Sequence, residues 1–62
     1  MKKVLKINVK SGDKVSKGDV LCIIEAMKLE NEIKSPFDGT IANVLTTAGA
    51  VVANKENLFE IN

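Results

Sequence analysis

The chain is written twice. Slid against itself by 37 positions, it sets Gly12 on Gly49, Val15 on Val52, Leu21 on Leu58 and Ile24 on Ile61, while Val4 meets Ile41 and Ile7 meets Val44. Each copy reads as an apolar strand, a glycine turn, a short valine-bearing strand, a second polar turn and another apolar strand. Such a chain is predicted to fold as two like halves related by an approximate two-fold axis.

Within the first copy, Leu5, Ile7 and Val9 alternate with Lys6, Asn8 and Lys10. At period two this puts the apolar set on one face and the polar set on the other, the mark of a half-buried strand. Ser11-Gly12-Asp13-Lys14, Lys17-Gly18-Asp19 and Ser35-Pro36-Phe37-Asp38-Gly39 have turn compositions; proline withholds a ladder donor and glycine tolerates positive φ. Short strands between regular turns predict an all-β sandwich or barrel.

The middle of the chain sets two local rules against each other. Residues 24–34 are rich in Glu, Ala, Met, Lys and Leu and hold no glycine or proline, so propensity predicts a helix. Periodicity predicts otherwise. A helical stripe through Val20, Ile24 and Met27 arrives next at Asn31 and fails, whereas Leu29, Asn31 and Ile33 alternate with Glu30, Glu32 and Lys34. With strands over 20–25 and 29–34, the reversal falls on Ala26-Met27-Lys28, although tight hairpins favour Asn-Gly or Asp-Gly. A turn built from the wrong residues marks a functional or strained place.

Composition narrows the chemistry. At 62 residues, with 45% hydrophobic and 27% charged, the expectation is one ordered domain over 1–62 with a small core; a domain of this size buries only about 60% of its unfolded surface. Nine lysines against eight carboxylates, unclustered apart from Lys2-Lys3, leave a net charge of +1 and no electrostatic case for nucleic acid. No apolar run approaches the roughly 20 residues that span a bilayer, so direct membrane insertion is not expected; the N-terminus reads as no signal peptide, and a cytoplasmic location is expected. Cys22 is the only cysteine and histidine is absent, so neither an internal disulfide nor a familiar transition-metal cluster is expected. In the apolar run Val20-Leu21-Cys22-Ile23-Ile24, Cys22 reads as a small buried hydrophobe rather than a reactive thiol.

Lys28 stands apart from the other lysines because it lies between the bulky apolar Met27 and Leu29. Gly12-Asp13, Lys17-Gly18, the strand 21–24, Glu25-Ala26-Met27-Lys28, Ser35-Pro36, Gly39 and Gly49 occur in an order that resembles biotin carboxyl carrier (biotinyl/lipoyl attachment) domains, over essentially the whole chain. Leu29 departs from the second methionine these domains often carry, a volume-conserving swap. The offset also pairs Ser35 to Gly39 with a Ser-Pro or Ala-Pro strand that family members commonly carry ahead of the point where this sequence opens, and one sheet edge is expected to lack a partner without it.

The resemblance implies a flattened barrel or sandwich of two small sheets (a barrel-sandwich hybrid), with the modified lysine on a hairpin tip at the end opposite the chain termini. It further implies that Lys28 carries covalent biotin in amide linkage, as a swinging arm, and that Glu25, Ala26, Met27 and Leu29 present it to a biotin protein ligase. Met27 otherwise reads as a turn hydrophobe folded back onto the barrel, and Glu25 as a solvated strand-end charge. An ordinary lysine is an ammonium at neutral pH, so activation has to come from the ligase. The implied role is a non-catalytic carrier serving a biotin carboxylase and a carboxyltransferase or decarboxylase, within a carboxylase, decarboxylase or transcarboxylase. The alternatives are a lipoyl acyl carrier, whose lysine typically follows aspartate and precedes alanine, and an unmodified lipoyl-like structural β module.

Overall fold

A computed structural model describes residues 2–62, so Met1 of the expected 1–62 domain lies outside the described residues. Among the described residues seven strands form: β1 (Lys2–Ile7), β2 (Lys14–Val15), β3 (Val20–Ala26), β4 (Leu29–Lys34), β5 (Gly39–Val44), β6 (Val51–Val52) and β7 (Phe59–Ile61). One sheet has the order β4-β3-β1-β6 and the other β2-β5-β7, with every pairing antiparallel. The architecture is the expected all-β sandwich, and the 37-residue offset carries β1 onto β5 and β2 onto β6 end for end.

The repeat extends to individual hydrogen bonds. Gly12 N donates to Ile41 O at 2.8 Å, and its mate Gly49 N donates to Val4 O at 2.7 Å. Ile41 N donates to Asp13 O and Val4 N to Ala50 O, both at 2.8 Å. Each half therefore closes its glycine turn on the other half's first strand. Asn8 N to Leu21 O and Leu45 N to Leu58 O, again both 2.8 Å, join the strands of each half in the same way.

An irregularity is also duplicated. The β1·β3 register slips between Val4 and Lys6 and the β5·β7 register between Ile41 and Asn43, leaving Leu5 and Ala42 as the extra residues. An added residue changes the parity of a strand. That is why Val4 is buried although the alternating set Leu5, Ile7, Val9 lies on the opposite parity; those three are half-buried and Lys6, Asn8 and Lys10 exposed.

The core is small. Val15, Leu21 and Ile41 are buried against one another, with Val9, Val44, Phe59 and Ile61 packed on them; Val4, Cys22, Ile24 and Val52 complete the buried apolar set. Pairing and burial override helix propensity in 24–34: Ile24 is buried opposite Asn31, and Cys22 faces Ile33. Ser35 earns its place through main-chain bonding. It receives the Gly18 N–H and donates its own to Asp19 O, both at 2.8 Å, and its buried hydroxyl donates to Phe37 O at 2.6 Å.

The placement of the tip corrects one expectation. Among the described residues the tip between β3 and β4 does not lie opposite the start of β1, because antiparallel pairing sets the start of β1 against the end of β3, with Lys3 opposite Glu25. The first described residues thus stand at the tip's end. Asn62 lies at the far end, paired with Thr40, which faces Lys14 just ahead of the turn that feeds the start of β3.

Truncating Leu21 to Ala should remove about 2–5 kcal/mol. A domain of this size has little more than that to lose, so urea denaturation of Leu21→Ala is expected to find it largely unfolded in water at 25 °C.

Candidate functional site: the β3–β4 hairpin tip

Ala26 pairs with Leu29, so the reversal is made by two residues alone. Met27 has φ 52° and Lys28 φ 65°. Positive φ at both central positions is the signature of a type I′ turn, whose twist suits a tight hairpin and which favours Asn-Gly. Here both residues carry long side chains, each held in a conformation that costs an L-residue roughly 1–2 kcal/mol. The ladder below the turn runs through five residue pairs from Ala26·Leu29 to Cys22·Ile33, and it holds the tip in this form.

The side chains break a second rule. Met27 is 93% exposed and Leu29 68% exposed, so Met27 does not fold back onto the barrel. Lys28, between them in the sequence, is itself exposed. Two large apolar side chains turned to water, on the residues before and after Lys28, are exposed apolar area of the kind that marks a contact surface. Lys28 takes no part in an ion pair; among the described residues that interaction is Lys34 with Glu32 at 3.9 Å, both more than half exposed, and such pairs contribute little.

Glu25 is exposed, opposite Lys3 on one side and Glu30 on the other. Like charges directly across a ladder are unfavourable, and the residue facing Glu25 on the other side is of opposite sign. Ala26 is half-buried and small at the last rung. The structure therefore gathers Glu25, Ala26, Met27, Lys28 and Leu29 on one tip. Glu30 is the neighbour sequence reasoning passed over, and the hairpin register, once the two-residue turn is counted, assigns it. Two surface hollows, of about 500 and 400 Å³, include no residue from 25 to 32. The tip is a projecting handle. Its exposed amine and apolar flanks fit a covalently attached group carried in the open, and nothing packs over the amine to obstruct one.

Cys22 is wholly buried, and burial pushes its thiol above the usual 9.0. The thiolate, which does the chemistry of cysteine, is disfavoured.

Comparison with known proteins places this geometry. The family model described as biotin-requiring enzyme matches residues 1–61. The chain is 49% identical over 53 residues to the biotin carboxyl carrier protein of acetyl-CoA carboxylase 1, chloroplastic, of Arabidopsis thaliana, covering 86% of this chain and 19% of the relative. It is 45% identical over 53 residues to the biotin carboxyl carrier protein of acetyl-CoA carboxylase of Pseudomonas aeruginosa, covering 86% and 34%. Against mitochondrial pyruvate carboxylase of Mus musculus it is 42% identical over 59 residues, covering 95% and 5%. It thus spans from a twentieth to about a third of the length of these relatives.

Two outcomes are expected. Replacing Met27-Lys28 by Asn-Gly should stabilise the domain by about 1–2 kcal/mol, read as a raised urea midpoint; an unchanged midpoint would mean that the turn carries no strain. For Cys22 the raised thiol value contributes stability that is full below pH 9 and is lost as pH climbs towards the folded value, because the unfolded thiol ionises first. The urea midpoint of the parent minus that of Cys22→Ala should accordingly shrink above pH 9, and iodoacetamide should label Cys22 only after denaturation.

The match over residues 1–61, on a two-sheet fold with an exposed hairpin lysine, shows that the chain belongs to the biotin-requiring enzyme (Biotin_lipoyl) family.

Proposed function

We propose that this chain is a biotin carboxyl carrier domain in which Lys28 takes biotin in amide linkage from a biotin protein ligase. The observation that carries the reading is the tip itself, where Lys28 stands at left-handed φ between exposed Met27 and Leu29 on a two-residue turn. A turn of that type filled by Asn-Gly would be more comfortable but would offer no amine. The relatives named for biotin carboxyl carrier proteins support the same assignment.

Each residue has a physical task. Lys28 Nζ, once deprotonated in the ligase, forms the C–N bond to the carboxyl carbon of biotin as the ligase's activating group departs and the remaining amine proton is released. Met27 and Leu29 offer apolar area that a ligase can cover, about 25 cal/mol for each Å² removed from water. Ala26 keeps the last rung narrow, and Glu25 with Glu30 supplies negative charge beside the amine. When bound, biotin contributes a ureido ring that accepts and releases a carboxyl group; the protein contributes position and tethering. Carriage on a tethered arm turns two bimolecular encounters into local ones.

The domain then moves carboxyl groups between a biotin carboxylase and a carboxyltransferase or decarboxylase, itself performing no chemical step. A single buried, unpaired cysteine suits the reducing cytoplasm.

Intact mass spectrometry after incubation with biotin protein ligase, ATP and biotin should find one biotinyl group on the parent and none on Lys28→Arg, whose fold should be unchanged. Met27→Ser should lower kcat/KM for biotinylation by about tenfold, corresponding to about 1.4 kcal/mol. A folded parent that stays unmodified, or label surviving Lys28→Arg, would overturn the assignment; lipoylation by a lipoate ligase in its place would make the domain an acyl carrier.

A further inference from the structure

The repeat acts as an internal control for the surface. Where the first half carries the polar Asn8 and Lys14, the second carries Leu45 and Val51, 48% and 59% exposed. The main-chain bonds of the two turns correspond, so the fold does not require apolar residues at these places. Leu45 and Val51 meet in one hollow of about 400 Å³, with Val44 and Ala50 adding to its apolar side and Thr46 and Thr47 beside them. None of its residues belongs to β7. Small-molecule sites of roughly 300–1,000 Å³ combine apolar lining with a few polar groups in this way.

The hollow stands at the tip's end of the molecule. Val51 faces Lys3, Lys3 faces Glu25 and Glu25 faces Glu30, so the four lie in one row across β6, β1, β3 and β4. All four are exposed, which puts their side chains on the outer face of the sheet. Two ladder spacings, about 10 Å, separate Val51 from Glu25, and the turn that carries Lys28 follows Ala26, one residue further on. Biotin in amide linkage would stand about eleven bonds from the Lys28 Cα, roughly 14 Å for an extended chain. The hollow is within the reach of that arm.

We propose that this hollow is a resting site for the biotinyl group of Lys28 on its own domain, the arm lying along the row from Glu25 to Val51; the inference rests on the carrier reading above. The apolar thioether ring covers Leu45 and Val51. The ureido group, with two N–H donors and one carbonyl acceptor, meets hydroxyls on Thr46 and Thr47 that can both accept and donate. Tethering gives the ring an effective concentration in roughly the millimolar range, so a site too weak to hold free biotin is filled by the attached one. A ring held there is withdrawn from solution, and partners meet the arm only in the fraction of molecules that have released it.

The test uses biotinylated protein, its single added group verified by intact mass, beside the unmodified form. In ¹⁵N–¹H spectra, biotinylation should shift the amides of Thr46, Thr47, Ala50 and Val51 as well as those of the tip. The variant Leu45→Asn with Val51→Thr returns the first half's own residue to one position and keeps a β-branched side chain of similar size opposite Lys3 at the other. In it the shifts at 46–51 should vanish, and avidin should capture the biotinylated form about threefold faster in stopped flow, because the arm is no longer withheld. A parent that takes no biotin overturns the carrier reading and this inference together. A biotinylated parent whose shifts stay within residues 24–32, or an avidin rate that the variant leaves unchanged, overturns this inference alone. Shifts at 45–51 that grow with the concentration of unmodified protein would assign the hollow to a second copy and overturn it equally.

Discussion

The fold depends on an exchange of main-chain hydrogen bonds between its two halves. Gly12 N reaches Ile41 O in the second half and Gly49 N reaches Val4 O in the first, and the return bonds from Ile41 and Val4 end on Asp13 and Ala50. Both halves are thereby needed to form either turn. Of the residues packed in the central cluster the first half holds Val15 and Leu21 and the second Ile41, and neither half alone has the apolar area to order its backbone. Reciprocal closure places all three side chains in one core, and it explains why a short chain can repeat itself and still be one cooperative unit.

Rigidity built in this way is what the tip draws on. Two long residues at positive φ represent roughly 2–4 kcal/mol of unfavourable conformation, a large fraction of what so small a domain has in reserve. The turn persists because β3 lies between β4 and β1 in the four-stranded sheet, so relaxing Met27 or Lys28 would shear a ladder on each side. The conflict between propensity and periodicity across 24–34 is resolved at the same place: strong helix formers are tolerated as strand because β4 is paired with β3 down from the turn, although most of its side chains are exposed.

The repeat made the fold legible, since main-chain constraints recurring in both halves leave the same residue types at fixed offsets. Gly12 with Gly49 and Val15 with Val52 are examples, and Lys28 between two apolar neighbours was equally readable. Other features left no such trace. The bulges at Leu5 and Ala42 share no residue type, because an extra residue is defined by the strand across from it. The end at which the tip stands depends on which strand β1 pairs with, which alternation along β1 does not state. The hollow beside the β5–β6 turn is likewise a property of the sheets together, its lining drawn from Val44 in one and Val52 in the other.

The nine lysines are chemically alike, so what sets Lys28 apart is geometry. Lys55 is the strict comparison. It too is exposed and left-handed, with φ 66°, at the place where the first half carries Gly18. Its neighbours are Asn54 and Glu56, and Glu56 bonds back to Ala53 N at 3.1 Å, so its surroundings are polar and self-satisfied. Lys28 has instead an apolar residue on either side and a paired strand below each. Exposure and unusual φ are therefore shared by both lysines: the difference is the uncovered apolar area of Met27 and Leu29, which flank Lys28 and have no counterpart beside Lys55.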